Sequence, residues 1–275
     1  MSRFRKIIFR MLKSQEGVEQ MILTEENYYS SRADQEYFSV SQYKAFVRCE
    51  ASAMASIYGE WKRPLTRALL VGSFVDSYFE GTLPQFMEQN PEIFTRKNEL
   101  KSEFKKANEI IGRIKEDPLF MQFMGGEKQR IMTFELFGMR WKMKMDSFLP
   151  GICITDLKVA ANFRSLPAWR YDLQGAVYQA GVLAVTGEQL PFYLAVATKE
   201  RVVDLDIFQI PQTTLDRALD EIAVMLPHYL DVKNGMEPPK FCGRCDYCKS
   251  IKKAGIRNYN ELLEQWEKKG RGSAA

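Results

Sequence analysis

The chain has little histidine, little cysteine and little net charge. It contains one histidine and five cysteines in 275 residues, and its formal net charge at pH 7 is +4. The histidine, His228, lies near the end of a predicted helix, where a surface or capping role is expected. The cysteines do not form the dense pattern of a disulfide framework and are expected to be ligands in a reducing cytoplasm. So small a net charge does not by itself indicate a nucleic-acid partner.

Long apolar runs are also missing. No run approaches the length of a membrane span, and the stretch Ile7-Ile8-Phe9 is too short, and too soon interrupted by Arg10, for a signal peptide. A soluble, intracellular protein without a membrane partner is therefore expected. With 45% hydrophobic residues the chain can bury one sizeable core, which predicts a single α/β domain with helical additions.

Two strands with a turn between them are predicted from Arg140 to Lys158. Apolar and polar side chains alternate from Trp141 to Asp146, which is the period of a strand with one apolar face. The run Ile152 to Lys158 alternates as well, and Leu149-Pro150-Gly151 supplies hairpin turn residues. If an odd-numbered loop is centred on Pro150, Asp146 pairs opposite Ile154.

This register places Asp146, Asp156 and Lys158 on one face. Two carboxylates suit a hard cation, because Mg²⁺ prefers one or two carboxylates plus waters and leaves positions for a substrate phosphate. The lysine can orient or deprotonate an attacking water and help stabilise a pentacovalent phosphate. Phosphodiester hydrolysis is therefore the predicted chemistry, and an ordinary solvated Asp/Lys pair is the alternative.

Two predicted helices carry further polar faces. In the run Trp169 to Thr186, Gln174 and Tyr178 lie one turn apart on a single face. In Leu65 to Gly81, Asp76 lies on a second polar face with the same four-residue spacing. The helices are therefore expected to add polar groups to the strand acids.

The order of these residues resembles the PD-(D/E)xK nuclease superfamily, in particular the RecB-type and RecE-like phage recombination exonucleases. The resemblance covers roughly Ser39 to Cys248 and implies a restriction-endonuclease-like core, in which a mixed central sheet is flanked by helices. In that family the acids that match Asp146 and Asp156 bind metal. The lysine that matches Lys158 is catalytic.

The resemblance implies roles for other residues as well. Residues at the positions of Gln174 and Tyr178 support the site or the DNA, and Glu135 matches an acidic position that sometimes assists the metal. The alternative for Glu135 is a surface strand glutamate. The family commonly has Gly-x-x-x-His where this chain reads Gly72-Ser-Phe-Val-Asp76, so an aspartate oxygen would replace an imidazole nitrogen as ligand.

Three of the five cysteines fall within seven residues. The segment Phe241-Cys242-Gly-Arg-Cys245-Asp-Tyr-Cys248 has the C-x-x-C spacing that lets successive thiolates face one metal centre. A fourth ligand must come from elsewhere, and Cys49 is the candidate. Cys153 lies in a predicted strand on the face opposite Asp156, where a small buried side chain is expected.

The residues before Cys49, Ser41-Gln-Tyr-Lys-Ala-Phe-Val-Arg, resemble the N-terminal segment of iron-sulfur nucleases related to AddB and the CRISPR adaptation nucleases. In those proteins one early cysteine joins three late ones around a four-iron-four-sulfur cluster. The resemblance implies the same cluster for Cys49, Cys242, Cys245 and Cys248. Because the late cysteines are more compactly spaced here, zinc and a reduced, metal-free group are the alternatives.

Three segments are predicted along the chain. Residues 1–38 form a basic or polar segment, 39–248 the nuclease domain closed by the cysteines, and 249–275 a basic helix with a disordered tail. Within the domain, three consecutive strands between Arg130 and Lys158 are expected to form a meander, and Ser39 to Tyr58 a single helix. Basic side chains on another helix and after the cysteines can neutralise phosphates: Lys97, Lys101, Lys105, Lys106, Lys249, Lys252, Lys253 and Arg257.

The family resemblance also implies an activity. It is a Mg²⁺- or Mn²⁺-dependent exodeoxyribonuclease that resects linear duplex DNA from 5′ to 3′ as a ring-shaped homo-oligomer, beside a phage single-strand annealing protein. Little sequence specificity is expected, because phosphate contacts position DNA without reading it. The alternatives are a nuclease of the CRISPR adaptation or AddB type, which acts on single-stranded ends, and a non-catalytic DNA-binding module.

Overall fold

The structure is a computed structural model that describes residues 21–62, 64–256 and 258–271. Its α-helices are α1 (Ser31–Glu36), α2 (Val40–Arg48), α3 (Glu50–Ile57), α4 (Arg67–Glu80), α5 (Leu83–Gln89), α6 (Ser102–Lys115), α7 (Pro118–Phe123), α8 (Tyr171–Thr186), α9 (Gln212–Lys233), α10 (Asp246–Ser250) and α11 (Tyr259–Arg271). Its strands are β1 (Arg130–Leu136), β2 (Met139–Met145), β3 (Ser147–Leu149), β4 (Cys153–Ala160), β5 (Phe192–Thr198) and β6 (Leu205–Gln209). Short 3₁₀ segments cover Pro91–Ile93 and Phe163–Trp169.

The strands form a mixed sheet and a separate hairpin. The four-stranded sheet has the order β3-β4-β5-β6, in which β4 and β5 are parallel and the outer pairs are antiparallel, while β1 and β2 pair with each other. Parallel neighbours need a crossover connection, and α8 provides it between β4 and β5. The predicted arrangement of a mixed sheet flanked by helices is therefore present.

Two hydrophobic clusters cover the two faces of this sheet. Leu194 and Val196 of β5 point into the cluster that includes α8 and α9, whereas Ala195 and Ala197 point into the cluster formed with α4 and α6. Because side chains alternate along a strand, the sheet is buried on both faces. Most of β4 is consequently buried, so any charged residue in it requires specific partners.

Helix α8 lies unusually close to its neighbours. A Cβ atom on Gly175 would come within 2.6 Å of the Phe192 ring, and one on Gly181 would come within 2.5 Å of the Phe134 ring. Glycine at these two positions lets the helix approach both β5 and β1. The close approach fixes the height of Gln174 and Tyr178 above the sheet.

The predicted meander is wrong in its middle. The chain bends at Asp146, and the short strand β3 pairs with β4, so that Phe148 lies opposite Ile154. The loop is therefore centred on Gly151 rather than Pro150, and Asp146 is not the partner of Ile154. The correction amounts to two residues in pairing register, and an even shift leaves the same side chains on the same face.

The single helix predicted from Ser39 to Tyr58 is also interrupted. Cys49 has an extended backbone, with φ −170° and ψ 108°, and it separates α2 from α3. The amide of Ala51 then donates a hydrogen bond to the carbonyl of Lys240 at 3.1 Å, which draws the break toward the C-terminal cysteines. Helical periodicity continues across the break, so the sequence pattern did not reveal it.

The segment before Ser39 belongs to the folded body, as far as it is described. Tyr37 and Phe38 are fully buried, and Phe38 bridges to Trp141 at the edge of β2. The boundary predicted at residue 39 therefore runs through packed structure. The first twenty residues of the predicted basic or polar segment lie outside the described residues, as do Arg257 and residues 272–275. Within the described part, no helix combines the length and apolar character needed to cross a membrane.

Candidate active site

The centre of the site is a buried ion pair on β4. Asp156 is 2% exposed, and its carboxylate pairs with the ammonium group of Lys158 two residues along the same strand face. The amide nitrogen of the Gln174 side chain, from α8, donates to Oδ1 of Asp156 at 2.8 Å. The carboxylate is thereby oriented from the strand and from the helix above it.

Asp146 approaches the same point from the bend between β2 and β3. Its Oδ2 accepts a hydrogen bond from the backbone amide of Leu157 at 2.9 Å, and its Oδ1 lies 3.4 Å from the side-chain amide nitrogen of Gln129. The bond to Leu157 holds Asp146 against β4 without any ladder pairing between β2 and β4. The structure therefore brings Asp146, Asp156 and Lys158 together, as the sequence predicts.

Asp76 of α4 adds a third carboxylate, whose charge interacts with those of Asp146, Lys158 and Asp156. Burial raises its pKa well above the usual range, and the nearby negative charge of Asp146 raises it further, while Lys158 opposes the shift. Glu80, one turn later, has its pKa raised by burial too, with Lys144 opposing and Asp146 adding. A concentration of negative charge with one paired ammonium is the dominant electrostatic feature here.

The same charges act on the central pair. Burial raises the pKa of Asp156 to about 7, although Lys158 opposes the shift. Burial alone would lower the pKa of Lys158, but Asp156, Asp146 and Asp76 outweigh it and hold that pKa above its ordinary value. Lys158 is therefore an ammonium ion at neutral pH.

The donor set fits a hard divalent cation. Oδ2 of Asp156 is buried and has the Lys158 ammonium as its close charged neighbour, and carboxylate oxygens such as those of Asp156 and Asp146 are the ligands that Mg²⁺ and Mn²⁺ prefer. The three acids do not converge as tightly as the cysteines described below, whose ligand atoms lie within 4.8 Å of one another. One or two carboxylates completed by waters is the ligand set that this spacing suits.

Comparison with known proteins identifies the family. The model of the family described as a PDDEXK-like domain of unknown function (DUF3799) matches residues 39–251. The chain belongs to the PD-(D/E)xK nuclease family. A crystal structure of a "putative exonuclease" from Eubacterium rectale is 47% identical, with a TM-score of 0.85, and the match covers 87% of this chain and 97% of that chain. The predicted restriction-endonuclease-like fold and nuclease class are confirmed.

Two other comparisons add nothing to this assignment. A crystal structure of SSO0001 matches over 94% of this chain and 99% of that chain, at 13% identity and a TM-score of 0.35, which is too weak to carry an argument. No curated protein matches the chain.

Of the remaining predicted site residues of this PD-(D/E)xK nuclease, one supports the acids and another is distant. The hydroxyl of Tyr178 donates to the carbonyl of Lys144 at 3.0 Å, next to the strand end that leads into Asp146. Glu135 is exposed and lies opposite Arg140, near the turn of the β1–β2 hairpin. The end of β1 nearest Asp146 is Arg130, about 17 Å from Glu135 at the rise of a strand. The structure does not bring Glu135 to the site.

Several residues near the nuclease acids were missed by sequence reasoning. Lys44 of α2 donates from Nζ to the carbonyl of Trp169 at 2.9 Å, and its Nζ lies 5.2 Å from the centre of the Tyr171 ring. Burial lowers the pKa of Lys44 to about 8, with Asp156 opposing that shift. Nζ of Lys158 lies 5.5 Å from the same Tyr171 ring. No local spacing signal connects Lys44 with an acid 112 positions later, so only the folded chain reveals it.

The predicted cysteine group is assembled. Sγ of Cys49 lies 3.6 Å from Sγ of Cys248, and Cys242 lies 3.9 Å from the same sulfur. Cys245 completes the set, whereas Cys153 is buried in β4 and is not part of it. The backbone amides of Cys245 and Cys248 point at the sulfurs of the preceding cysteines, at 3.3 and 3.4 Å. Four sulfur atoms with this geometry can hold a metal centre.

The thiols differ in acidity. Backbone hydrogen bonds from Arg244 and Cys245 lower the pKa of Cys242 to about 6, whereas burial raises the pKa of Cys248 to about 12. The expected surface or capping histidine, His228, bridges Glu50 and Glu237 at 2.9 Å on each ring nitrogen, beside this group. These contacts do not involve the acids of the nuclease site.

The predicted basic helix is partly neutralised by its own neighbours. Lys106 pairs with Glu109 at 2.9 Å, and Lys105 lies 3.9 Å from Glu99. The ammonium of Lys101 donates to the carbonyl of Glu92. These pairs reduce the charge that α6 can offer to phosphates.

Proposed function

We propose that the chain is a divalent-metal-dependent exodeoxyribonuclease that degrades linear duplex DNA from its ends. The observation that carries this proposal is the convergence of Asp146, Asp156 and Lys158, with Gln174 bonded to Asp156. The family and the name of the Eubacterium rectale relative support an exonuclease. The proposed metal ligands are Asp156 and Asp146, with Asp76 as a third candidate.

The protein groups then divide the work. When bound, Mg²⁺ or Mn²⁺ would supply a positive charge for the oxygens of the attacked phosphate. Lys158 orients the attacking water or takes its proton, and it helps to stabilise the pentacovalent phosphate. Gln174 fixes the Asp156 carboxylate, and the Leu157 amide fixes Asp146.

The biological setting is part of the same proposal. By its resemblance to RecE-like enzymes, the nuclease would work in the cytoplasm, from 5′ to 3′, in phage or prophage recombination with a single-strand annealing protein, and as a ring of several copies. The cysteine group favours a second candidate, a nuclease of the CRISPR adaptation or AddB type that acts on single-stranded ends. Digestion polarity separates the two candidates.

The first test is digestion of linear and closed-circular duplex DNA with Mg²⁺, Mn²⁺ or EDTA, using strands labelled at either end. We expect metal-dependent loss of linear DNA from the 5′ end, with circles spared. Asp156→Ala should lower the rate by at least about a thousandfold, because it removes a proposed metal ligand from the reaction centre.

Glu135→Gln is the matched control, because it changes an acid that the sequence predicted for the site and that the structure places away from it. Unchanged cleavage by Asp156→Ala would refute the site assignment. Loss of single-stranded ends from the 3′ side would favour the second candidate. DNA binding by a protein that never cleaves would favour a non-catalytic module.

The cysteine group is proposed to hold a four-iron-four-sulfur cluster, with zinc as the alternative. Iron, zinc and sulfide contents of anaerobically purified protein, together with absorbance near 400 nm, distinguish them. Cys49→Ser should lose the bound metal and lower the melting temperature, because it breaks the link between α3 and the C-terminal segment. Cys153→Ala should retain the bound metal, and equal metal contents in the two variants would contradict the proposed ligand set.

A further inference from the structure

An exposed tryptophan stands beside the acid site. Trp169 ends the 3₁₀ segment before α8, and its side chain is 52% exposed. Its carbonyl accepts the hydrogen bond from Lys44, the ammonium that interacts with Asp156 and lies against Tyr171. The exposed residue Trp169 and the half-buried Lys44 are therefore neighbours near the site, joined through the Trp169 carbonyl.

The backbone that carries Trp169 is held from both sides. Arg170, the next residue, has a φ of 51°, which is rare for a residue other than glycine. Its guanidinium donates to Asp172 at 2.9 Å and to Glu221 of α9 at 2.7 Å. Lys44 holds the Trp169 carbonyl on the other side of this residue. The backbone at Trp169 is therefore fixed before any ligand binds, so binding requires little loss of backbone conformational entropy there.

The chemistry of this rim suits one nucleotide. An aromatic ring accepts any base by stacking, which is worth about 1–3 kcal/mol per base, and a lysine ammonium binds a phosphate oxygen without reading sequence. A base within duplex DNA is covered on both faces by its neighbours, so only an unpaired or terminal base can present a face to the ring. The arrangement therefore favours a nucleotide at the end of a strand or one whose base has left the helix.

We propose that Trp169 and Lys44 form a subsite for an unpaired nucleotide of the strand being cut, in which Trp169 stacks on the base and Lys44 binds a phosphate. This inference rests on the proposed nuclease function. It adds that a duplex end is unpaired when its strand enters the site. It also assigns to Lys44 a role separate from that of Lys158, which faces the carboxylates.

The test measures binding, so that cleavage is not required. In an Asp156→Asn background with EDTA, the affinity for a short fluorescent single-stranded oligonucleotide is measured with Trp169→Ala, Trp169→Phe and Lys44→Met. We expect Trp169→Ala to weaken binding by about 5- to 100-fold, and Trp169→Phe much less, because phenylalanine still stacks. Lys44→Met should weaken binding and reduce the salt dependence of log Kd by about 0.7, the loss of one phosphate contact.

Two controls come from the same chain. Trp266 on α11 is 72% exposed, so Trp266→Ala removes an exposed ring elsewhere, and Lys62→Met removes an exposed ammonium outside the site. Both variants should bind the oligonucleotide as tightly as the parent protein, which carries Asp156→Asn alone. Thermal melting followed by circular dichroism checks that each variant is folded, and Trp169→Phe carries the test should Trp169→Ala fail to fold.

An abasic nucleotide makes the test specific for stacking. The abasic nucleotide is placed in turn at each of the first few positions from the end of the oligonucleotide. At one of these positions it should weaken binding to the Asp156→Asn protein as much as Trp169→Ala does. Combining the abasic nucleotide at that position with Trp169→Ala should weaken binding no further. Additive losses at every position, or equal affinities for Trp169→Ala and Trp266→Ala, would overturn the stacking proposal.

The experiments give different results depending on whether the subsite proposal or the proposed nuclease function is wrong. If wild-type protein degrades linear DNA but the parent protein does not bind single strands, the subsite is refuted and the nuclease function stands. If wild-type protein degrades no DNA with any metal, while Trp169→Ala still impairs single-strand binding, the subsite stands as a binding site only. Absence of both activities refutes both.

Discussion

At the scale of single residues, the Asp156–Lys158 pair couples the charge of the lysine to that of the carboxylates around it. Asp156, Asp146 and Asp76 raise the pKa of Lys158 against the effect of burial. A divalent cation held by the same carboxylates would offset part of this effect, because it brings positive charge to them. The two roles predicted for Lys158 from the sequence, orienting water and deprotonating it, therefore both stay predictions.

Gln174 offers a test of how far the nuclease depends on the orientation of Asp156. Gln174→Leu keeps the size of the side chain but removes the 2.8 Å hydrogen bond to Oδ1. We expect the cleavage rate to fall about 10- to 100-fold, as when other partners of metal ligands are removed, with a change in melting temperature of only a few degrees.

Gln85→Leu, an exposed substitution on α5, serves as the control for added apolar surface. The rate and the half-saturating metal concentration would be measured together for both variants. A drop in rate that is matched by an equal drop for Gln85→Leu would argue against an orienting role, as would normal activity in Gln174→Leu.

Residue-level prediction from sequence succeeded where the chain is locally regular. Asp156 and Lys158 share a strand face by alternation, and Asp146 reaches them at the start of the same hairpin. Lys44 and Gln129 could not be found in this way, because they arrive from segments that only tertiary packing brings near. Glu135 was misplaced, since the alternation that put it on a strand does not say which end of the hairpin faces the site.

At the scale of elements, the errors lie at breaks within continuous patterns. Apolar periodicity runs unbroken from α2 into α3, although Cys49 interrupts the helix to reach the other cysteines. In the same way, alternation continues from β2 into β3 through the bend at Asp146. In both places the break carries a functional candidate, and long-range contacts override a local preference that would have continued the element.

Helix α9 is tied to the chain before Ser39 by a buried lysine. Nζ of Lys233 donates to the carbonyls of Asp34 and Tyr37 at 2.7 and 2.8 Å and to the side-chain oxygen of Gln42 at 3.0 Å. Burial lowers the pKa of Lys233 to about 7, with Asp34 opposing the shift and Lys142 adding to it. This group links the stability of the fold to pH.

Between pH 7 and about 10, the unfolded chain binds a proton at Lys233 that the folded chain does not bind. The free energy of unfolding should therefore rise with pH in this range, by at most about 1.4 kcal/mol per pH unit from this group. Lys233→Met should remove that part of the slope. It should also lower stability, because the oxygens of Asp34, Tyr37 and Gln42 lose the donor that binds them.

Urea unfolding at pH 7, 8 and 9 gives the free energy of unfolding at each pH. The test compares how this free energy changes with pH in the wild type and in Lys233→Met. Lys62→Met provides the comparison with an exposed lysine. Parallel curves for wild type and Lys233→Met would contradict the assigned pKa shift.

At the scale of the whole molecule, the folded unit begins before the first residue that the family model matches. Phe38 is fully buried against Trp141, and Asp34 pairs with the buried Lys142 at 2.8 Å. The family match starts at residue 39 and does not include these contacts. The segment from 28 to 38 is thus a structural part of this protein.

A shortened protein that begins at Ser39 should lose cooperative unfolding. It lacks two fully buried aromatic side chains, each worth about 3–5 kcal/mol when truncated in a core, and it leaves Lys142 buried without its carboxylate. A protein that begins at Met21 keeps all of these contacts and should therefore unfold in a cooperative transition. Circular dichroism melting distinguishes the two, and a sharp transition for the Ser39 form would contradict the packing argument.

The cysteine group also has a consequence for the order in which the protein is made. The sulfurs of Cys49 and Cys248 meet although 199 positions separate them, and Lys233 reaches Asp34 over the same separation. A ribosome releases the N-terminal part first, so neither contact can form until nearly the whole chain has emerged. Each newly synthesised molecule therefore passes through a period in which its strand acids are already translated but the cysteine group has not yet formed.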